Sequence, residues 1–322
     1  MDSFLVSPLF RSFTLIVGSM AAGYLARRKG LLPESLARPL MTFVTVGGYA
    51  PVGFLSIWSI DLHGEDVLLP IFSACQIAIM ALLGLAVGRL LARNRSEIGL
   101  FGISSSIGNN GATMGGFVIF LIYGETGLGI SSIYCLSFTT MMVLVLFPIA
   151  RRYSGHMPDA SLGRLMLRSL FDWRAMGLLF SVAAIFLSAS GIPRPGAVER
   201  YHVIDVLVYL VSALAYFSIG LRLRMHYVRP LLRMLLGLAG MRFVVSMIVC
   251  AALLALVRLL PWSLGGMRER IVFIQSFVPT AVTNVAVANM FDLRPREASV
   301  LFVVNTLTYL VVVLPIVFAI FG

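Results

Sequence analysis

Two long hydrophobic stretches, one in each half of this 322-residue chain, are interrupted in their middles. The first breaks at Gly108-Asn109-Asn110-Gly111-Ala112-Thr113-Met114-Gly115-Gly116, the second at Pro279-Thr280-Ala281-Val282-Thr283-Asn284. Lipid offers no water to unpaired backbone groups, so non-helical chain at membrane depth requires surrounding protein or a wet cavity. A matched pair of Gly- or Pro-interrupted spans in two halves of a chain is the sequence pointer to a midplane binding site in a transporter.

That reading presumes a membrane, and composition supports one. The chain is 59% hydrophobic and 12% charged, roughly half the charged fraction of a soluble domain. A span needs about 20 apolar residues, and candidates fall at 5–26, 36–58, 67–91, 97–123, 127–149, 174–190, 201–221, 231–257, 269–291 and 297–321. The first is read as a retained span: Asp2 occupies the place of a signal peptide's basic region, and Arg27-Arg28-Lys29 follow the apolar run. The net charge of +11 comes from arginines in short loops, which reports orientation and not a nucleic-acid partner. Arg27/Arg28/Lys29, Arg89/Arg93/Arg95, Arg151/Arg152 with Arg164 and Arg168, Arg222/Arg224/Arg229/Arg233 and Arg294/Arg296 share one side; Asp61/Glu65/Asp66, Glu125 and Arg194/Glu199/Arg200 share the other. Arg258, Arg268 and Arg270 fall on the acidic side as exceptions. The expectation is a bacterial inner (plasma) membrane protein with both termini outside the cytoplasm. In the central cytoplasmic loop, Leu162, Leu165, Met166 and Leu170 recur at helical spacing with Arg164 and Arg168 on another face, predicting an amphipathic linker helix.

The fold expected is therefore an all-α polytopic membrane protein of ten transmembrane helices in two inverted five-helix repeats, with broken helices four and nine crossing. An odd number of spans per half inverts one half relative to the other. Cys75, Cys135 and Cys250 lie in apolar runs without metal or disulfide spacing. No nucleophile–base pair and no phosphate-binding glycine loop stands out, so neither an enzyme, a metal nor a cofactor is expected.

At the first break, Gly108, Gly111, Gly115 and Gly116 each cost a helix interior about 1 kcal/mol against alanine. A glycine-rich packing face is the alternative, but Asn109 and Asn110 carry amides that hydrocarbon cannot satisfy. At the second break, Pro279 removes a backbone donor, and Thr283 and Asn284 stand where a re-entering half-helix would begin. If the segments cross, two half-helix N-termini present N–H groups and positive partial charge, an anion site. Asn109, Asn110, Gly111, Thr113, Thr283 and Asn284 are the candidate substrate-binding residues, with Gly108, Gly115, Gly116 and Pro279 as crossover backbone. Ser106, Gln275, Tyr134, Ser137 and Asn305 are candidate cavity-lining residues. The bland alternatives are serines bonding back to their own helix and amides joining helices. Arg242 reads as a snorkelling residue near the cytoplasmic end of the eighth span. No Asp or Glu lies at either break, so a carboxylate proton relay is unsupported.

Asn110-Gly111-Ala112-Thr113-Met114-Gly115 with Tyr123-Gly124-Glu125-Thr126-Gly127-Leu128, and Pro279-Thr280-Ala281-Val282-Thr283-Asn284 with Phe291-Asp292-Leu293, resemble the auxin efflux carrier family, related in architecture to the bile-acid/sodium symporters. The chain departs from that pattern at Phe117, where a proline is usual. The resemblance implies a scaffold of spans 1–2 (residues 1–60) and 6–7 (174–222). It implies a mobile core of spans 3–5 (61–150) and 8–10 (223–322), with 151–173 as the linker. It places Asn110 and Asn284 at the two crossings, and implies elevator-type alternating access. A homodimer, if one forms, would use the scaffold spans. The functional expectation is a secondary transporter (permease) of a small organic anion, a carboxylate suiting the positive helix ends. The alternatives are a non-transporting ligand-binding receptor on the same scaffold, or a sodium-coupled symporter.

Overall fold

The computed structural model describes residues 8–154, 176–223, 228–259 and 264–322. The expected linker helix around Leu162–Leu170 lies outside the described residues. Among those residues the main elements are all helices: α1 Pro8–Arg28, α2 Glu34–Trp58, α3 Gly64–Leu91, α4 Arg95–Ser106, α5 Gly115–Tyr153, α6 Met176–Ala189, α7 Val203–Arg222, α8 Arg229–Val257, α9 Gly266–Ser276, α10 Val282–Met290 and α11 Pro295–Phe321. Six of these (α2, α3, α5, α7, α8 and α11) are long and apolar enough to cross a membrane. The protein is thus an all-α integral membrane protein.

The sequence signals that start and stop the short helices are explicit. Asn94 caps α4, its Oδ1 accepting from Glu97 N–H at 3.0 Å, while Glu97 Oε2 accepts from Arg93 N–H at 2.8 Å. This reciprocal cap satisfies donors the first turn leaves open. α4 stops at Ser106 and the chain runs unwound through Gly108 and the asparagine pair until α5 begins at Gly115. α9 stops at Ser276, and after Pro279 the chain re-enters a helix at Val282. Within α5, Gly124 takes a φ of +65° and bends the rod, a conformation glycine adopts without Cβ strain. Four long helices widen into a π turn, at Val44–Tyr49, Met142–Leu146, Met241–Val245 and Tyr309–Val313.

Packing sorts the helices into two groups. α1 lies along α7, and α6 along α2. The α1–α7 contact is backbone to backbone: a Cβ on Gly23 would overlap the Phe217 carbonyl, and one on Gly220 the Met20 carbonyl, the close approach that small residues permit in lipid. In the other group α3 packs on α4, and α8 touches α3, α9 and α11. The principal bridge between groups is α2 against α5.

The charged ends explain the exceptions to the loop charge pattern. Arg268 pairs with Asp66 at 2.6 Å and Arg258 with Glu269 at 2.6 Å, so two of the three misplaced arginines are counter-ions of local acids. On the other charged side, Arg294 pairs with Glu97 at 2.9 Å and Arg27 donates to the Leu223 carbonyl at 2.7 Å.

Candidate functional site

The centre of the molecule is built on backbone first. Asn109 N–H donates to the Pro279 carbonyl at 2.7 Å and Ala281 N–H to the Ile107 carbonyl at 3.0 Å, laying Gly108 antiparallel to Thr280. The two unwound segments thus satisfy each other's polar groups where water is excluded. Only glycine fits at 108: a Cβ there would meet Asn110 Oδ1 at 2.6 Å and Val278 Cγ2 at 2.7 Å, with the Arg242 guanidinium closer still.

Side chains then lock the crossing. Asn110 Nδ2 donates to the Gln275 carbonyl at 2.6 Å, and Gln275 Nε2 returns bonds to the Asn110 carbonyl at 2.9 Å and Ser131 Oγ at 2.6 Å. Asn284 Nδ2 reaches the Ile107 carbonyl at 2.9 Å and Thr280 Oγ1 at 2.8 Å. Thr280 is held twice more, its N–H donating to Asn305 Oδ1 at 2.8 Å and its hydroxyl to the Ser104 carbonyl at 2.6 Å. Thr113 donates to Asn109 Oδ1. Gly115 and Gly116 donate to the Asn109 and Asn110 carbonyls at 2.9 and 3.0 Å, which closes off the first N–H groups of α5.

The structure therefore brings Asn109, Asn110, Thr113, Gln275, Asn284 and Asn305 into one buried cluster around Gly108, Gly115, Gly116 and Pro279. Gly111 and Thr283 are half-buried at its edge. Ser106 turns back to the Ile103 carbonyl at 2.7 Å, the bland outcome for a helix serine. Tyr134 donates to Gln76 Oε1 at 2.9 Å, and Gln76 Nε2 to Ser246 Oγ at 3.1 Å. Ser246 in turn donates to the Ser276 carbonyl, so Tyr134 braces the end of α9 through other residues. Ser137 pairs with Ser73 Oγ at 2.9 Å, joining α5 to α3.

Several groups in the cluster remain open. Asn109 Nδ2, Asn305 Nδ2, Gln275 Oε1, Asn284 Oδ1 and the hydroxyls of Thr306 and Tyr309 are buried without a partner among the described residues. A buried polar group left unpaired costs about 1–3 kcal/mol, so this set calls for water or a ligand. Facing it from α7, Tyr216 donates to the Thr113 carbonyl at 2.5 Å. Tyr49 of α2 lies beside Thr113. A cleft lined by Met41, Ser218, Arg222, Val282, Val285 and Phe302 runs between α2/α7 and α10/α11 and reaches the first turn of α10.

Arg242 does not snorkel. Its side chain is buried, and its guanidinium donates inward from the π turn of α8 to the Val278 carbonyl at 2.9 and 3.1 Å, Ser105 at 3.2 Å, and Ser106 and Ser276 at 3.4 Å. A depth estimate from the sequence would have placed it inside the span, though not against these partners. Eleven residues past Leu231, at 1.5 Å each, is about 16 Å into the span, near the middle of a core about 30 Å thick and beyond comfortable reach of the interface. Tyr216, Tyr49 and Tyr309 carried no comparable signal, being ordinary residues of apolar runs, while Thr280 stood inside the second break without being singled out from it. No family model matches this chain, and no curated protein matches it.

Proposed function

We propose that this protein is a secondary transporter of a small organic anion, a carboxylate by type, built as ten spans in two inverted five-helix repeats of the auxin-efflux-carrier kind. The observation that carries the reading is the pair of unwound segments bonded across each other in the protein's interior, beside buried amide donors without a partner among the described residues. The repeat is supported by the order of parts. A short helix of 12 residues (α4) or 11 (α9), an unwound segment, a second helical stretch and a long rod follow in each half. Each rod carries a π turn followed by Phe147-Pro148 or Leu314-Pro315. The α1/α2/α6/α7 group serves as scaffold and the remainder as the moving core. The arginine-rich loops face the cytoplasm, and the exposed Arg222, which lines the cleft, offers a cation to an anion on that side.

A carboxylate near the crossing would accept from Asn109 Nδ2 and Asn305 Nδ2. Replacing Asn109 by alanine is expected to weaken carboxylate binding about 10- to 100-fold, a lost bond to a charged group being worth about 1.5–3 kcal/mol. Stability should fall modestly, since the change costs the local Thr113 hydroxyl bond to Asn109 Oδ1 but none between the two unwound segments' side chains, Nδ2 having no partner among the described residues. Asn110→Ala and Asn284→Ala should lower affinity and thermal midpoint together, because their Nδ2 groups hold the crossing closed. Calorimetric titration beside a thermal melt separates the two patterns. Equal affinity in all three variants would remove these residues from the site.

The same geometry sets a pH dependence. Among the described residues no carboxylate stands at the crossing to exchange a proton with the ligand, so affinity is expected to fall as pH drops through the ligand's own pKa. Amide and ester analogues should bind poorly; a neutral isostere that binds equally well would sink the anion assignment. Uptake into proteoliposomes tests transport itself, and saturable binding with no flux would identify a receptor on this scaffold.

A further inference from the structure

We infer that Arg242 is a built-in cation occupying the place of a coupling ion at the crossing, so that the protein neither binds nor needs sodium there. The argument starts from the two helix ends it touches. α4 ends at Ser106 and α9 at Ser276, and a helix C-terminus carries about half a negative charge on carbonyls with no intrahelical partner. Two such ends meeting in a dry interior amount to roughly one negative charge. In broken-helix transporters, half-helix C-termini and unwound carbonyls of this kind coordinate the coupling cation. Here the carbonyls of Ser105, Ser106, Ser276 and Val278 are taken instead by one guanidinium. The planar fork suits the task, presenting five donors in fixed directions and staying charged when buried.

Three further observations fit a cation matched to this cage. Among the described residues no carboxylate pairs with Arg242; the buried acids Asp66 and Glu97 are engaged by Arg268 and Arg294. The helix ends are therefore its counter-charge. Gly108 gives the guanidinium its room, since any Cβ there would strike Nη2. The π turn Met241–Val245 places the side chain at this depth, and π turns are frequent at functional positions in helices. The consequence for the site is a fixed positive charge against Gly108, within the same crossing that holds the open amides of Asn109 and Asn305, with the driving force supplied by something other than sodium at this position.

The inference rests on the crossing geometry and not on flux, so stability can test it whether or not transport is detected. In purified protein the thermal midpoint should be the same in sodium chloride and in choline chloride of equal ionic strength. A saturable rise specific to sodium would overturn the proposal without any variant. Arg242→Ala should lower the midpoint by about 10 °C, as expected when a buried charge network is broken. Millimolar guanidinium or sodium should then restore part of the loss, choline none. An unchanged midpoint, or a loss that neither cation repairs, would show that Arg242 only fills space. If the alanine variant does not accumulate, Arg242→Lys and Arg242→Met decide. Only the ammonium answers both helix ends, so the lysine variant should melt higher, and equal midpoints overturn the proposal.

Discussion

Gly108→Ala is expected to abolish ligand binding and to destabilise the protein by about 3 kcal/mol, the upper range for overpacking a filled interior. The added methyl has nowhere to go. On one side stand Asn110 Oδ1 and Val278 Cγ2, on another the Arg242 guanidinium. The backbone cannot retreat, because Gly108 lies between the two bonds that join the unwound segments, Asn109 N–H to Pro279 and Ala281 N–H to Ile107. Relief would have to break that pairing or push the guanidinium from its carbonyls, and either leaves buried polar groups unpaired. Gly111→Ala is the internal control. It lies in the same unwound segment, but its Cβ would meet nothing within 4 Å, and the expected cost is below about 1 kcal/mol. Chemical unfolding of both variants gives the comparison. Equal, small effects would mean that the crossing is looser than these contacts describe.

Joining α2 to α5 by a disulfide is expected to stop transport, and reducing it to restore transport. A Cβ on Gly53 would lie 3.9 Å from Ser132 Cβ, inside the range of about 3.5–4.5 Å that disulfides span. Gly53→Cys with Ser132→Cys therefore closes with little backbone movement, in a background where Cys75, Cys135 and Cys250 have been replaced. The bond would tie the scaffold group to the group that holds the crossing. Alternating access in inverted-repeat transporters is largely rigid-body motion of one bundle against the other, so one covalent tie between bundles should suffice. Counterflow in proteoliposomes, before and after reduction, reads the result. Full flux through the oxidised, cross-linked protein would end the moving-core reading and favour a local gate.

The contacts at the ends of the bundle fit such a motion. Arg194 of the α6–α7 connection bonds Glu125, beside the Gly124 bend of α5, and Glu199 at 3.1 Å. Ser59 donates to Glu125 at 2.6 Å. Ser59 is exposed and Glu125 partly so, but the Arg194 side chain is buried, and inside the bundle the bond from Tyr216 to the Thr113 carbonyl also joins the two groups. The crossing is buried and multiply bonded. A boundary that yields before the crossing does is what the disulfide experiment relies on.

How much could be read without the structure follows from where each signal is local. Apolar run length sets the membrane helices, and Gly124, Pro279 and the Asn94 cap mark breaks and starts through the conformations their own backbones allow. The asparagine pair at 109–110 announces a polar interior because hydrocarbon cannot satisfy an amide in any fold. So the helical class and the two interruptions were determined by the sequence alone, and the polar residues at the breaks were marked there, but not which of them meet: Ser106, Tyr134 and Ser137 turn to other partners. What each amide does was not. Asn110 and Asn284 spend their donors on carbonyls 165 and 177 residues away, while Asn109 keeps Nδ2 open; nothing near these residues in the chain distinguishes the three. The role of Arg242 was likewise decided only in three dimensions. Its partners are backbone carbonyls, which every residue carries and no pattern marks, and they become a cage only when the ends of α4 and α9 converge on the same point inside the protein.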